Sequence, residues 1–119
     1  LVIYLRGHMA QFTYEVELTG TQESPWVTLE QHQQYGSEGS VNGASSTLIL
    51  TFSPDTVGSG YIQTTTESID KIYTDSSSLH PLTWGPGTVS NQTQVSMPAP
   101  TAFKVICTSG DIHVSARGI

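Results

Sequence analysis

The sequence is short of charge, of cysteine and of long apolar runs, and each shortage excludes something. Asp, Glu, Lys and Arg make up 12% of its 119 residues, only four residues are basic, and the formal net charge is −6. Binding to nucleic acid works by displacing counterions with clustered Lys and Arg, and no such cluster exists here. The one cysteine, Cys107, cannot close an intrachain disulfide. It falls in mid-strand, where it suits a small core residue better than a nucleophile, and a lone thiol fits a reducing compartment. No stretch approaches the ~20 apolar residues of a membrane-spanning helix, so no membrane partner is expected. No internal repeat appears. The length suits one domain with one core.

What is present is alternation. Residues 101–118 organise the chain: TAFKVIC, a TSGD turn, then IHVSARG. Phe103, Val105 and Cys107 alternate with Ala102, Lys104 and Ile106. Ile112, Val114 and Ala116 alternate with His113, Ser115 and Arg117. A period of two puts each set on one face of a sheet. Gly110 supplies the positive φ of a tight turn, so the two segments read as a hairpin. Pro98 and Pro100 mark where ladder pairing begins. The cleanest strand is 11–18, with Phe12, Tyr14, Val16 and Leu18 inward and Thr13, Glu15 and Glu17 outward. Further strands are expected at 26–30, 47–52, 60–66, 69–74, 82–84 and 93–97. Turn signals separate them: Gly20 and Pro25, Ser53-Pro54-Asp55, the serines of 75–81, and Gly85-Pro86-Gly87. No segment holds an apolar 3.6 period for more than two turns. The expectation is an all-β chain: a single antiparallel β-sandwich, jelly-roll-like, of about 7–9 short strands.

Two segments stand apart. Residues 1–8 lead into Gly7-His8-Met9, which resembles the scar of a protease-cleavable expression tag. They are read as a tag remnant or an N-terminal arm, with a genuine edge strand as the alternative, and 9–119 as the β-sandwich domain. Residues 31–46 are polar and Gly-rich without apolar period, and a loop that long tends to be functional or ordered by a partner.

Catalytic motifs are missing. His32, His80 and His113 form neither H-x-H nor H-x3-H. The acids fall on outward strand positions (Glu15, Glu17) or in turns (Asp55, Asp75, Asp111), the ordinary places for them. There is no G-x-S-x-G elbow and no phosphate-cradling glycine loop. Asn91-Gln92-Thr93 fits a glycosylation sequon without a secretory signal beside it. No catalytic residue, metal or cofactor is expected, and the chain reads as non-enzymatic. Trp26, Tyr35, Tyr61, Tyr73 and Trp84 form an aromatic set that reads first as core packing.

The tail PAPTAFKVICTSGDIHVSARG resembles the ending of many small structural proteins of tailed bacteriophages, in Ala102 to Val105, Thr108-Ser109-Gly110 and Ile112 through Gly118. Pro25 to Leu29 adds an early P-W-V-T-L. The resemblance implies a virion component made in the host cytoplasm: a capsid-decoration, tail or head-fibre subunit acting as a homo-oligomer, with a trimer favoured, through contacts with other virion proteins. Contact residues are then sought at Gln33, Tyr35, Asn42 and Trp84. A carbohydrate-binding module, with Tyr35, Trp84 and Asn42 around a glycan, is the alternative.

Overall fold

The computed structural model describes residues 2–8, 11–29, 47–85 and 87–119, with backbone alone at 2–8, 11 and 12. Among them, nine strands form two antiparallel sheets. They are β1 (Val2–His8), β2 (Gln11–Thr19), β3 (Val27–Thr28), β4 (Thr47–Pro54), β5 (Ser59–Thr65), β6 (Leu82–Thr83), β7 (Thr93–Pro98), β8 (Ala102–Ser109) and β9 (Asp111–Gly118). One sheet runs β1-β2-β9-β4-β7 and the other β3-β8-β5-β6. The all-β sandwich read from the alternation is the observed architecture. Residues 2–8 pair with β2 over their whole length, from Val2↔Glu17 to His8↔Gln11, so the N-terminal segment is an edge strand of the five-stranded sheet. No helix of the described residues is long and apolar enough to cross a membrane.

The alternating residues fill the space between the sheets. Tyr14, Val16 and Leu18 of β2 meet Leu48, Leu50 and Phe52 of β4 and Ile112, Val114 and Ala116 of β9, and opposite them lie Ile62 of β5 and Phe103, Val105 and Cys107 of β8. The Phe103 ring meets Tyr14 edge-on, centroids 5.8 Å apart at 82°. Burying a large aliphatic or aromatic side chain contributes roughly 1.5–3 kcal/mol, so this block dominates the folding energy. Ser24, itself buried, ties the loop before β3 to β8. Its N–H donates to the Val105 carbonyl at 2.8 Å, and its Oγ accepts from the Val105 N–H at 2.9 Å.

Two expectations are corrected. Residues 69–74 are an α-helix, α1 (Ile69–Thr74), and not a strand. Ser68 caps it, its Oγ accepting from the Lys71 N–H at 3.3 Å. Glu67 and Lys71 pair at 2.8 Å one helical turn apart. Ile72 then packs with Leu79 and Ala102 in a small second cluster against the outer side of the four-stranded sheet. Local capping and this docking outweigh the β preference of Ile and Tyr. The second correction concerns the tail. β8 and β9 follow one another through Gly110, which has φ 62°, yet they are not a hairpin. β8 lies between β3 and β5 in one sheet, and β9 between β2 and β4 in the other. Both strands are central, so the tail arches from one layer to the other and carries the middle of each.

Glu67 also anchors the chain beyond α1. It accepts from the His80 N–H at 2.6 Å and from the Thr65 hydroxyl at 3.1 Å. The Lys71 ammonium, then the His80 N–H, hold its carboxyl at about 2, below the usual 4.5, against a smaller desolvation effect. A depressed carboxylate contributes stability that is fully present above the unfolded value and is lost as pH falls through the folded one. Acid titrations of stability should therefore show a loss between about 4.5 and about 2. Glu67→Gln should flatten that part of the curve in urea melts at each pH. An unchanged slope would remove Glu67 from the account.

Candidate functional site

The outer face of the five-stranded sheet gathers ionisable groups that lie far apart in sequence. The registers Glu17↔His113 and Ser53↔His113 place one residue each from β2, β9 and β4 in a row. The His113 ring sits between two carboxylates: its Nε2 is 3.4 Å from Glu15 Oε1 and its Nδ1 is 3.5 Å from Glu17 Oε2. Glu15 and Glu17 share a face because they are two residues apart on a strand. At the end of the row Asp111 pairs with Thr19, and its carbonyl accepts the Asp55 N–H at 2.9 Å. The Asp55 side chain accepts the Val57 N–H at 3.1 Å, which holds the β4–β5 turn closed.

These groups border a cleft of about 350 Å³ walled by Glu17, Thr19, Ser53, Asp55, Asp111 and His113, with Leu18, Pro54 and Ile112 beneath. Three carboxylates and one imidazole face it without a Lys or Arg among the lining residues. Such a cleft favours a cation or a donor of hydrogen bonds and repels an anion. No group of three or more His, Cys, Asp or Glu among the described residues is arranged to hold a metal ion.

The space between the sheets is of another kind. A metal centre inside a β-barrel needs His or carboxylate side chains on inward strand positions. The inward positions of β2, β4, β8 and β9 carry Tyr14, Cys107 and aliphatic or Phe side chains. Burial pushes the Tyr14 phenol up, with Ser24 opposing, so it is neutral. Burial also pushes the Cys107 thiol up, and its Sγ lies 3.4 Å from the Ser109 carbonyl. A raised thiol pKa is the opposite of what a nucleophile needs. The described interior does not fit a bound metal.

Of the contact residues expected from sequence, Gln33, Tyr35 and Asn42 lie outside the described residues, as does the loop that carries them. Trp84 is placed: its N–H donates to the Ile62 carbonyl at 2.8 Å and its ring is half-buried against the main core. It is a packing residue with one edge in solvent. Trp26 packs on the second cluster under the Lys104 ammonium, 5.4 Å from the ring centroid. Tyr73 is 60% exposed with its hydroxyl 3.2 Å from Thr28 Oγ1. The aromatics thus serve separate clusters. Sequence reasoning had Glu15, Glu17, Asp55, Asp111 and His113 on the right faces and turns but did not bring them together. That step needs the β2/β9 and β4/β9 registers.

No family model matches the sequence, and no curated protein matches it. Solved structures do. An RmlC-like cupin protein from Desulfovibrio desulfuricans is similar at TM-score 0.51 and 11% identity over 98% of this chain and 80% of that one. A cupin domain from Bordetella pertussis is similar at TM-score 0.51 and 12% identity over 99% and 91%. A recombinant oxalate oxidase in complex with glycolate is similar at TM-score 0.51 and 8% identity over 98% of this chain and 49% of that one. At these identities the likeness establishes the fold, which is that of cupin jelly rolls. It corrects the expectation of a phage virion structural protein, because these three structures are of cupin fold and none is a capsid or tail component. The neighbours include one enzyme, the oxalate oxidase, beside proteins described only as cupins.

Proposed function

We propose that this chain is a non-catalytic, small-molecule-binding domain of cupin fold, and that it takes a compact organic cation in the outer cleft between β2, β9 and β4. The observation that carries the reading is the joining of Glu17, Asp55, Asp111 and His113 around one cleft of about 350 Å³. A cavity of a few hundred Å³ suits a small ligand. The packed apolar interior supports a site on the outside of the sandwich, and the inert Cys107 and Tyr14 support binding without bond-making.

Titration of the 15N-labelled chain tests it. Agmatine, a small dication, should shift the amides of Thr19, Asp55, Asp111 and His113. Glycolate, an anion, should leave them in place. Asp111→Asn and Glu17→Gln should each weaken agmatine binding by about tenfold, as expected for loss of one charge-assisted contact. Shifts produced by glycolate at these amides, or agmatine shifts confined to other strands, would overturn the reading.

A further inference from the structure

The sequence from Ser76 to Phe103 contains no Asp, Glu, Lys or Arg. In the fold this neutral stretch is not scattered. β6 pairs with β5 through Gln63↔Thr83 and Thr64↔Leu82 and is the last strand of its sheet. The chain then follows β5, with the Trp84 N–H on the Ile62 carbonyl and Val89 bridged to Gly60. It crosses to the other layer as β7, the last strand of the five-stranded sheet. The segment that supplies both of these sheet edges is therefore uncharged, and among the described residues the charged pair Glu67–Lys71 meets it only at His80, before β6. Arg6 and Glu15 lie on β1 and β2, Lys104 on β8, Arg117 on β9, and Glu67, Asp70 and Lys71 just before or within α1.

Exposed edge strands are normally guarded by charged side chains, bulges or interior prolines, because their open N–H and C=O groups invite another strand. β7 has none of these guards along Thr93–Met97. It pairs with β4 in unbroken register from Thr93↔Phe52 to Met97↔Leu48, and Pro98 stands only at its end. Among the described residues β4 is its only strand partner. Gln94 and Ser96 are exposed. Leu82, on the neighbouring sheet edge, is 71% exposed, an apolar side chain this border does not cover.

We infer that the β6–β7 side is an interface with a second copy of this chain, formed by antiparallel pairing of β7 with the partner's β7. Charge selects that occupant. Two chains of net charge −6 repel one another over most approaches, and this side is where they can meet without placing like charges together. A strand pairing antiparallel with its own copy is an isologous contact, so the assembly is a two-fold pair and not the trimer the tail's resemblance implied. Leu82 and the half-buried Met97 would be covered alongside the extended sheet.

Sedimentation of the full chain over a range of concentrations tests the inference. The wild type should associate to two chains. Leu82→Glu combined with Ser96→Glu sets like charges across the two-fold and should raise the dissociation constant by about tenfold or more. Both positions are exposed, and circular dichroism should show the fold unchanged. Thr21→Glu, in the turn after β2, should leave association as it was. A wild type that is monomeric at every concentration would overturn the inference. A pair whose dissociation constant ignores the double substitution would overturn it as well.

Discussion

Gly110→Ala is expected to lower the stability of this fold by on the order of 2–5 kcal/mol, a large part of what a domain has. Two costs add. Gly110 has φ 62°, where an L side chain is strained by roughly 1–2 kcal/mol. A Cβ there would also fall 2.7 Å from the backbone of Gly58 and Val57, which cannot swing aside as a side-chain tip could. Forcing atoms into a filled space costs roughly 1–3 kcal/mol more. Gly20 separates the two costs. Its φ is 64°, and nothing lies within 4 Å of its would-be Cβ. Gly20→Ala should therefore show the conformational cost alone, about 1 kcal/mol. Urea melts of both variants give the comparison. Equal losses would mean that the arch between β8 and β9 does not press on the β4–β5 turn.

Phe103→Ala should cost about 3–5 kcal/mol. The ring is wholly buried and meets Tyr14 edge-on, so the substitution loses both its transfer energy and an aromatic contact worth roughly 0.5–1.5 kcal/mol. The size of the loss is informative about function. A filled interior leaves a cavity behind and pays the full amount. An interior that already contained a ligand chamber beside Phe103 would have little packing to lose, and the variant would melt near the wild type. Val57→Ala, at a side chain 68% exposed, should stay within about 0.5 kcal/mol and serves as the reference.

The strands were legible because one face of each meets the core and the other meets water. At β2, β4 and β9 the alternating residues 12–18, 48–52 and 112–116 mark the elements to within a residue or two. Residues 69–74 were not legible. Six residues are too few to show a helical period, and what makes them a helix is the Ser68 cap, the Glu67–Lys71 pair and the docking of Ile72 on Ala102. The change of sheet at Gly110 was equally hidden. A Ser-Gly-Asp turn with a left-handed glycine serves a hairpin and an arch alike, and the choice is made by partners far away in sequence: β2 and β4 for one strand, β3 and β5 for the other. The cleft depends on that choice. Glu17 and His113 read correctly as outward residues and Ser53 read as a turn residue, but as a hairpin partner of β8 the last strand would never have set His113 between Glu17 and Ser53.

Everything proposed for the cleft and the interior thus rests on β9 lying between β2 and β4. Cross-strand nuclear Overhauser contacts in the isotope-labelled chain measure this directly. The account predicts contacts from Ala116 to both Tyr14 and Leu50, and from Val114 to both Val16 and Phe52. Backbone contacts from Cys107 to Ile112 and from Val105 to Val114, the ladder of a closed hairpin, would contradict it.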